Sequence, residues 1–211
     1  MDEEELKDIT PEVFLKILFL GDLGVGKSSL IRRYVDNDYH SDYRVSVDCS
    51  YRLKSVQVKD KRINMQLWDV PGHERFGGMT KVYYKYAHGA VIVFDLSRSE
   101  TFDSALSWLS DVTEKLFDSR ADITDGDEEP NKVMPIILMA NKCDLPDIKV
   151  PRYKYSSYVQ ENGLLSWFET SARDESSVKN AMKTLVENIL QNDLTLIPVH
   201  ERLLPSLFDN N

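Results

Sequence analysis

Gly21-Asp22-Leu23-Gly24-Val25-Gly26-Lys27-Ser28 has the spacing G-x-x-x-x-G-K-[ST]. The chemistry that this spacing serves is phosphate binding. Glycines let a loop turn its backbone N–H groups inward around phosphate oxygens, and a helix opening directly after the loop adds the positive end of its dipole. In that arrangement Lys27 reaches the β- and γ-phosphates and the Ser28 hydroxyl binds Mg²⁺. Chance alone gives such a match in roughly one chain of this length in a hundred, so placement must support it. Here an apolar run precedes the loop and a helical pattern follows it.

Two further constellations stand at the ends of apolar runs. Asn141-Lys142-Cys143-Asp144 follows Pro135–Met139, the position where open α/β sheets bind ligands. A carboxylate there can accept hydrogen bonds from the N1–H and exocyclic amine of guanine. Adenine lacks that donor pair and would leave the carboxylate unpaired, which argues against an adenine-nucleotide kinase or ATPase. Asp69-Val70-Pro71-Gly72 follows Met65–Trp68. Its carboxylate can hold Mg²⁺ through water, and Gly72 lets a backbone N–H approach a γ-phosphate. Asn141 to Asp144 lies more than a hundred residues after the phosphate loop, so several elements must bring the groups together.

Those elements are legible. Phe14–Leu20 reads as a buried strand and Lys27–Val35 as a helix. Val56–Val58 and Ile63–Trp68 flank the turn Lys59-Asp60-Lys61-Arg62 as a hairpin. Ala90–Phe94 and Pro135–Met139 are two more buried strands. Between them Phe102, Leu106, Leu109, Val112 and Leu116 recur at helical spacing, as do Val178, Met182, Leu185, Val186 and Ile189 later. Strands alternating with helices, with apolar strands covered on both faces, predict an α/β domain on a mostly parallel sheet. No internal repeat is visible, and the periodicity fades after about Asn192.

The chain has 211 residues, 42% hydrophobic and 29% charged, which suits one globular domain. Its net charge of −9 lies in two segments. Residues 1–12 hold six acidic residues against one lysine, and residues 117–132 hold six against two basic ones. The first reads as a solvated tail, the second as a loop inserted between ordered elements. An acidic chain is a poor default binder of nucleic acid. Two cysteines, Cys49 and Cys143, without metal-ligand spacing, point to a reducing compartment. His40, His88 and His200 also lack ligand spacing. No apolar run reaches the length of a transmembrane helix, the acidic N-terminus has the wrong charge for a targeting signal, and residue two is not glycine.

Taken together, residues 13–192 resemble the Ras superfamily of small GTPases, with residues 1–12 and 193–211 as tails. The resemblance implies a P-loop NTPase of Ras-like fold, a G domain whose mostly parallel six-stranded sheet is flanked by helices. Leu23, Gly24, Val25, Gly26, Lys27, Ser28 and Ser29 would wrap the phosphates of GTP or GDP. Asn141 and Asp144 would hold guanine, with Lys142 packing along the ring. Ser171, Ala172 and Arg173 would complete the base pocket, although Arg173 stands where the family often has lysine. Counting without gaps from Lys27, Tyr39 falls on the aromatic that packs against guanine and Ser46 on the Mg²⁺-binding threonine of the first switch. Ser28, Ser46 and Asp69 would thus be the metal ligands, and Gly72 would face the γ-phosphate.

Within the superfamily the stretches 64–68, 75–80, 83–87 and 93–97 resemble Rab proteins. Tyr51, Trp68 and Tyr83 match the aromatic triad that faces Rab effectors. Leu23, Tyr83-Tyr84-Lys85 and Gly163–Ala172 resemble the subgroup that serves lysosome-related organelles. The resemblance implies a monomeric switch in vesicle or organelle traffic, whose partners are GTP-state effectors, an exchange factor and a GTPase-activating protein. It implies a cytoplasmic protein, peripheral to an endomembrane. Rab proteins usually end in prenylated cysteines, whereas no cysteine follows Cys143 here. Membrane contact would need a lipidated terminus missing from this sequence, or a partner.

The pattern breaks at the catalytic position. His73 stands where Ras-like proteins carry the glutamine that orients the attacking water, and Pro71 replaces the usual alanine. Leu23 is bulky where an arginine finger enters. Activator-assisted hydrolysis in Ras exceeds the intrinsic rate roughly 10⁵-fold, about 7 kcal/mol of barrier. These residues therefore predict slow hydrolysis, or in the alternative a non-cycling, GTP-held module that only docks effectors. Asp69-Val70-Pro71-Gly72-His73 also resembles the box of translational GTPases in which histidine is catalytic, so His73 is itself a candidate catalytic residue beside Lys27 and Gly72.

Overall fold

The computed structural model describes residues 12–40, 49–73, 80–121 and 134–192. Ser46, the acidic N-terminal segment, residues 122–132 of the acidic insert and the C-terminal tail lie outside these residues.

Among the described residues six strands form one sheet: β1 (Glu12–Leu20), β2 (Ser50–Val58), β3 (Lys61–Asp69), β4 (Gly89–Asp95), β5 (Ile136–Asn141) and β6 (Ser166–Thr170). Their order is β2-β3-β1-β4-β5-β6. Only the β2–β3 pair is antiparallel; β1 pairs parallel with β3 and β4, β4 with β5, and β5 with β6. The expected mostly parallel, six-stranded α/β fold is what is found. The helices are α1 (Lys27–Asp36), α2 (Thr80–Tyr84), α3 (Ser99–Ala121), α4 (Arg152–Glu161) and α5 (Glu175–Asn192).

Period-two alternation divides the core into two layers. Val13, Leu15, Ile17 and Phe19 of β1 face α1 and α5, meeting Leu30, Ile31 and Tyr34 on one side and Val178, Met182, Leu185 and Ile189 on the other. Leu18 and Leu20 face the opposite layer, with Trp108 and Val112 of α3, Tyr155 of α4 and Tyr84 of α2. All seven residues of β4 are buried, as a central strand covered on both faces requires.

Three sequence expectations need correction. The hairpin turn is shorter than four residues: Val58 pairs with Lys61, and Lys59 absorbs the bend at φ +54°. Along α3, among the described side chains, the buried hydrophobic residues are Phe102, Ala105, Trp108 and Val112. Leu106 is 40% exposed, with Ala105 and Trp108 doing the packing there, whereas Leu109 packs half-buried against the same layer. The acidic insert begins later than residue 117, because α3 runs to Ala121.

Candidate functional site

The carboxyl ends of β1, β3, β4, β5 and β6 lie along one edge of the sheet, and the loops after β1, β3, β5 and β6 carry polar groups of the expected site. The order changes direction between β1 and β4, the crevice where open α/β sheets bind ligands.

After β1, the loop turns through Gly21 (φ +137°), Gly24 (φ +76°) and Gly26 (φ +103°). These conformations are open to glycine and costly for L-residues. A Cβ on Gly21 would fall 2.2 Å from the Val93 carbonyl oxygen. Gly26 is the N-cap of α1 and, being glycine, brings no side-chain cap of its own. A helix start of this kind turns backbone N–H groups and the positive end of its dipole toward an anion. Lys27 is only 6% exposed. Its Nζ donates to the carbonyls of Gly21 at 2.7 Å and Asp22 at 2.9 Å. Burial pushes the ammonium down to about 8, against the attraction of Asp69 and Asp22. A buried cation held by neutral carbonyls suits a polyphosphate, whose charge would restore its usual basicity.

Ser28 Oγ donates to Asp69 Oδ2 at 2.5 Å, bringing a hydroxyl from α1 and a carboxylate from the end of β3 together. Hard oxygen donors of this kind fit Mg²⁺. Beyond Asp69, Gly72 rests directly on the phosphate loop: a Cβ there would lie 2.3 Å from Leu23 N and 2.6 Å from the Asp22 carbonyl carbon. His73 follows and is exposed. Leu23 itself is 45% exposed at the rim. Ser29 is half-buried on α1 and Val25 fully buried under the loop.

At the other end Asn141 is buried, and its Nδ2 donates to the Val25 carbonyl at 2.7 Å while its Oδ1 accepts from Thr170 at 3.3 Å. This amide hydrogen bond to Val25 fastens the phosphate loop to β5. Lys142 adopts φ +64° and pairs through Nζ with Asp95 Oδ2 at 2.6 Å. Asp144, Arg173 and Tyr39 come from three different loops and meet. Arg173 Nη1 is 3.4 Å from Asp144 Oδ2, and its guanidinium lies 5.7 Å from the Tyr39 ring centroid. Around Ser171–Arg173, the Ser171 N–H donates to Ser177 Oγ and the Arg173 N–H to Ser171 Oγ. Among the described residues the Ala172 N–H makes no hydrogen bond, so it is the one free to meet a base oxygen. The Ala172 carbonyl is held by Arg33 Nε at 2.6 Å.

The aromatic triad is brought together in part. Tyr51 and Trp68 stack with centroids 5.4 Å apart, and Tyr51 is 53% exposed. Tyr83 packs with Trp68 against the core layer that contains α3. Lys16 Nζ lies 4.1 Å over the Trp68 ring and donates to the Lys85 carbonyl.

Sequence reasoning missed Asp95 as a site residue. It is 1% exposed at the carboxyl end of β4. Its Oδ1 accepts from Ser97 N and Oγ, and its Oδ2 from Lys142 and Arg98. Burial opposes its charge, but Lys142 and Ser97 outweigh burial and hold the carboxyl below its ordinary range. The available signal was a carboxylate closing the apolar run Ala90–Phe94. A lowered carboxyl contributes stability that is present above its unfolded value and lost as pH falls through the folded one. Asp95→Asn is expected to cost about 2 kcal/mol near neutral pH. In urea titrations the difference from the parent should shrink below about pH 4. A difference that stays constant down to pH 3 would mean that the charge of Asp95 contributes nothing.

Comparison with known proteins shows the family of the chain. A profile of the Ras family matches residues 16–191. The chain is 41% identical over 185 residues to human Ras-related protein Rab-32, covering 87% of this chain and 78% of that one. It is 40% identical over 187 residues to Ras-related protein Rab-32A of Dictyostelium discoideum, covering 87% and 81%. Human Ras-related protein Rab-7L1 is 37% identical over 178 residues, covering 84% and 83%. The chain belongs to the Ras family of small GTPases, on its Rab branch.

Proposed function

We propose that this Rab-type GTPase is a switch of vesicle or organelle traffic that binds GTP or GDP with Mg²⁺ and hydrolyses GTP slowly. The observation that carries the reading is the meeting, along one sheet edge, of a glycine cradle with a buried lysine, the Ser28–Asp69 pair and the Asp144–Arg173–Tyr39 group. We take residues 13–192 as the switch domain, with tails on either side.

In this reading Leu23–Ser29 surround the phosphates, and Lys27 offsets charge on the β- and γ-oxygens. Ser28 and Asp69, with Ser46 from the first switch, hold Mg²⁺, which supplies further neutralisation of phosphate charge when bound. Asn141, Asp144 and the Ala172 N–H hold guanine, Lys142 and Tyr39 cover its faces, and Ser171 and Arg173 close the pocket. Hydrolysis requires a water oxygen to bond to the γ-phosphorus as the bond to the β–γ bridging oxygen breaks, its electron pair leaving on GDP. Gly72 directs its N–H to the γ-phosphate. His73 is the group next in line to orient the water. A glutamine carboxamide accepts from the water and donates to a phosphate oxygen from one flexible end, whereas the imidazole nitrogens lie on opposite edges of a short ring. Leu23 fills part of the rim beside Gly72 through which a partner's arginine would enter.

The stacked Tyr51–Trp68 pair with Tyr83 is the surface offered to GTP-state effectors. No helix among the described residues is long and apolar enough to cross a membrane. Residence at an endomembrane would rest on a lipidated terminus or a partner.

Single-turnover hydrolysis of preloaded GTP tests the slow step. The parent is expected at or below the intrinsic Ras scale of about 10⁻⁴ s⁻¹. His73→Gln should be about tenfold faster and His73→Ala within about twofold of the parent. If the parent turns over readily and His73→Ala abolishes it, the histidine is the working catalytic residue of a cycling switch. Complete absence of turnover, with or without an activator, would favour the docking module.

A further inference from the structure

We infer that Arg98 is a positioning residue that fixes the γ-phosphate side of the phosphate loop and so sets the preference for GTP over GDP. The inference rests on the nucleotide-switch reading and adds a residue to it. Arg98 lies between β4 and α3. Its Nε is bound to Asp95 Oδ2 at 3.1 Å, and its Nη2 donates to the Leu23 carbonyl at 3.1 Å. Asp95 is itself fixed by Ser97 and by Lys142 of the base loop. Arg98 is therefore aimed by a buried carboxylate at one backbone oxygen of the loop.

The geometry divides the loop into two halves with separate anchors. Val25, next to Gly26 and Lys27, is fastened to β5 by Asn141. Asp22 and Leu23 are fastened from the α3 side: Trp108 Nε1 donates to Asp22 Oδ1 at 2.9 Å, and Arg98 holds Leu23. This second half is the one that Gly72 lies against, so closely that an added Cβ would fall 2.3 Å from Leu23 N and 2.6 Å from the Asp22 carbonyl carbon. Gly72 is the residue assigned to the γ-phosphate. Losing Arg98 removes a charge-assisted hydrogen bond from Leu23 while leaving the Asn141 anchor in place, so the loss should be felt where the γ-phosphate binds.

The test uses the full chain with Mg²⁺ and compares release of fluorescent GDP with release of a fluorescent non-hydrolysable GTP analogue. Arg98→Ala should release the GTP analogue about tenfold faster while GDP release stays within about twofold of the parent. Arg98→Lys keeps a positive charge for Asp95 but cannot span both partners as the guanidinium does, and should fall between. An unchanged ratio of the two release rates in both variants would overturn the inference. So would equal acceleration of both nucleotides together with a lowered melting temperature, the signature of a merely structural arginine. A parent that binds no guanine nucleotide would instead fail the switch reading itself, before any variant is measured.

Discussion

Gly26→Ala is expected to abolish guanine-nucleotide binding, raising Kd by at least about 1,000-fold. Gly26 holds φ +103°, and an added Cβ would sit 2.3 Å from Asn141 Nδ2. The obstructing group is not a flexible tip. Asn141 is buried and held at both ends of its amide, by Val25 and Thr170. Relief of the clash must break those bonds or lift the loop from the α1 N-terminus, and either displaces Lys27 and the N–H cradle together. Stability should fall as well, by about 3 kcal/mol. Fluorescence titration with GDP and a thermal melt read the two effects separately. Gly163→Ala is the control: its φ is +65° but nothing lies within 4 Å, so it should cost about 1 kcal/mol and leave affinity unchanged. Parent-like affinity in Gly26→Ala would mean that the loop conformation described here is not the binding one.

How much of this was legible depended on what each residue reports. Continuous apolar runs revealed β1, β4 and β5, because strands buried on both faces contain little else. β2 was seen only at its last three residues, since most of its side chains are exposed and only its end alternates. β6 is an edge strand of mostly half-buried residues, so it lacks the continuous apolar run that marks a strand buried on both faces. α4 buries only Tyr155 and Val159 of its ten residues, too few for a periodic signal. In α3 Leu106 misled, because Ala105 and Trp108 do the packing there.

For the site, the legible residues were those whose chemistry is local to a motif: the glycines, Lys27, Ser28, Asp69 and Asn141–Asp144. What stayed hidden were contacts across long sequence separations, for which no local pattern exists. Trp108 reaches Asp22 over 86 residues, Arg33 reaches Ala172 over 139, and Arg98 reaches Leu23 over 75. Asn141 shows both kinds at once. Its motif foretells a base ligand, while its bond to Val25, 116 residues away, makes it a structural member of the phosphate loop. If Asn141 also binds a base, as proposed, the glycine at position 26 and the 141–144 loop cannot be altered independently.

Asp144→Asn should invert base preference while leaving phosphate binding intact, because Asp144 takes no part in the loop. Its side chain is 27% exposed, with Arg173 Nη1 3.4 Å from Oδ2. Two acceptor oxygens match the two donors on the guanine edge. An asparagine presents one acceptor and one NH₂, so it would oppose a donor to the guanine amine and leave both unpaired. A site built on such a pair discriminates by orders of magnitude, and a loss of at least about 1,000-fold in GDP affinity is expected. Xanthine carries a carbonyl where guanine carries the amine. The asparagine NH₂ can donate to that carbonyl while its oxygen accepts the N1–H, so xanthosine diphosphate should overtake GDP in competition titrations. Adenine nucleotides should stay weak, because adenine offers the asparagine one acceptor at N1 and no group at C2 for the other end of the amide. Arg173→Ala separates charge from hydrogen bonding: the arginine is largely exposed, its attraction to Asp144 is screened, and its removal should change GDP affinity only a few-fold. Retention of parental GDP affinity by Asp144→Asn would remove the base-reading role from Asp144 and with it the chemical ground for guanine specificity.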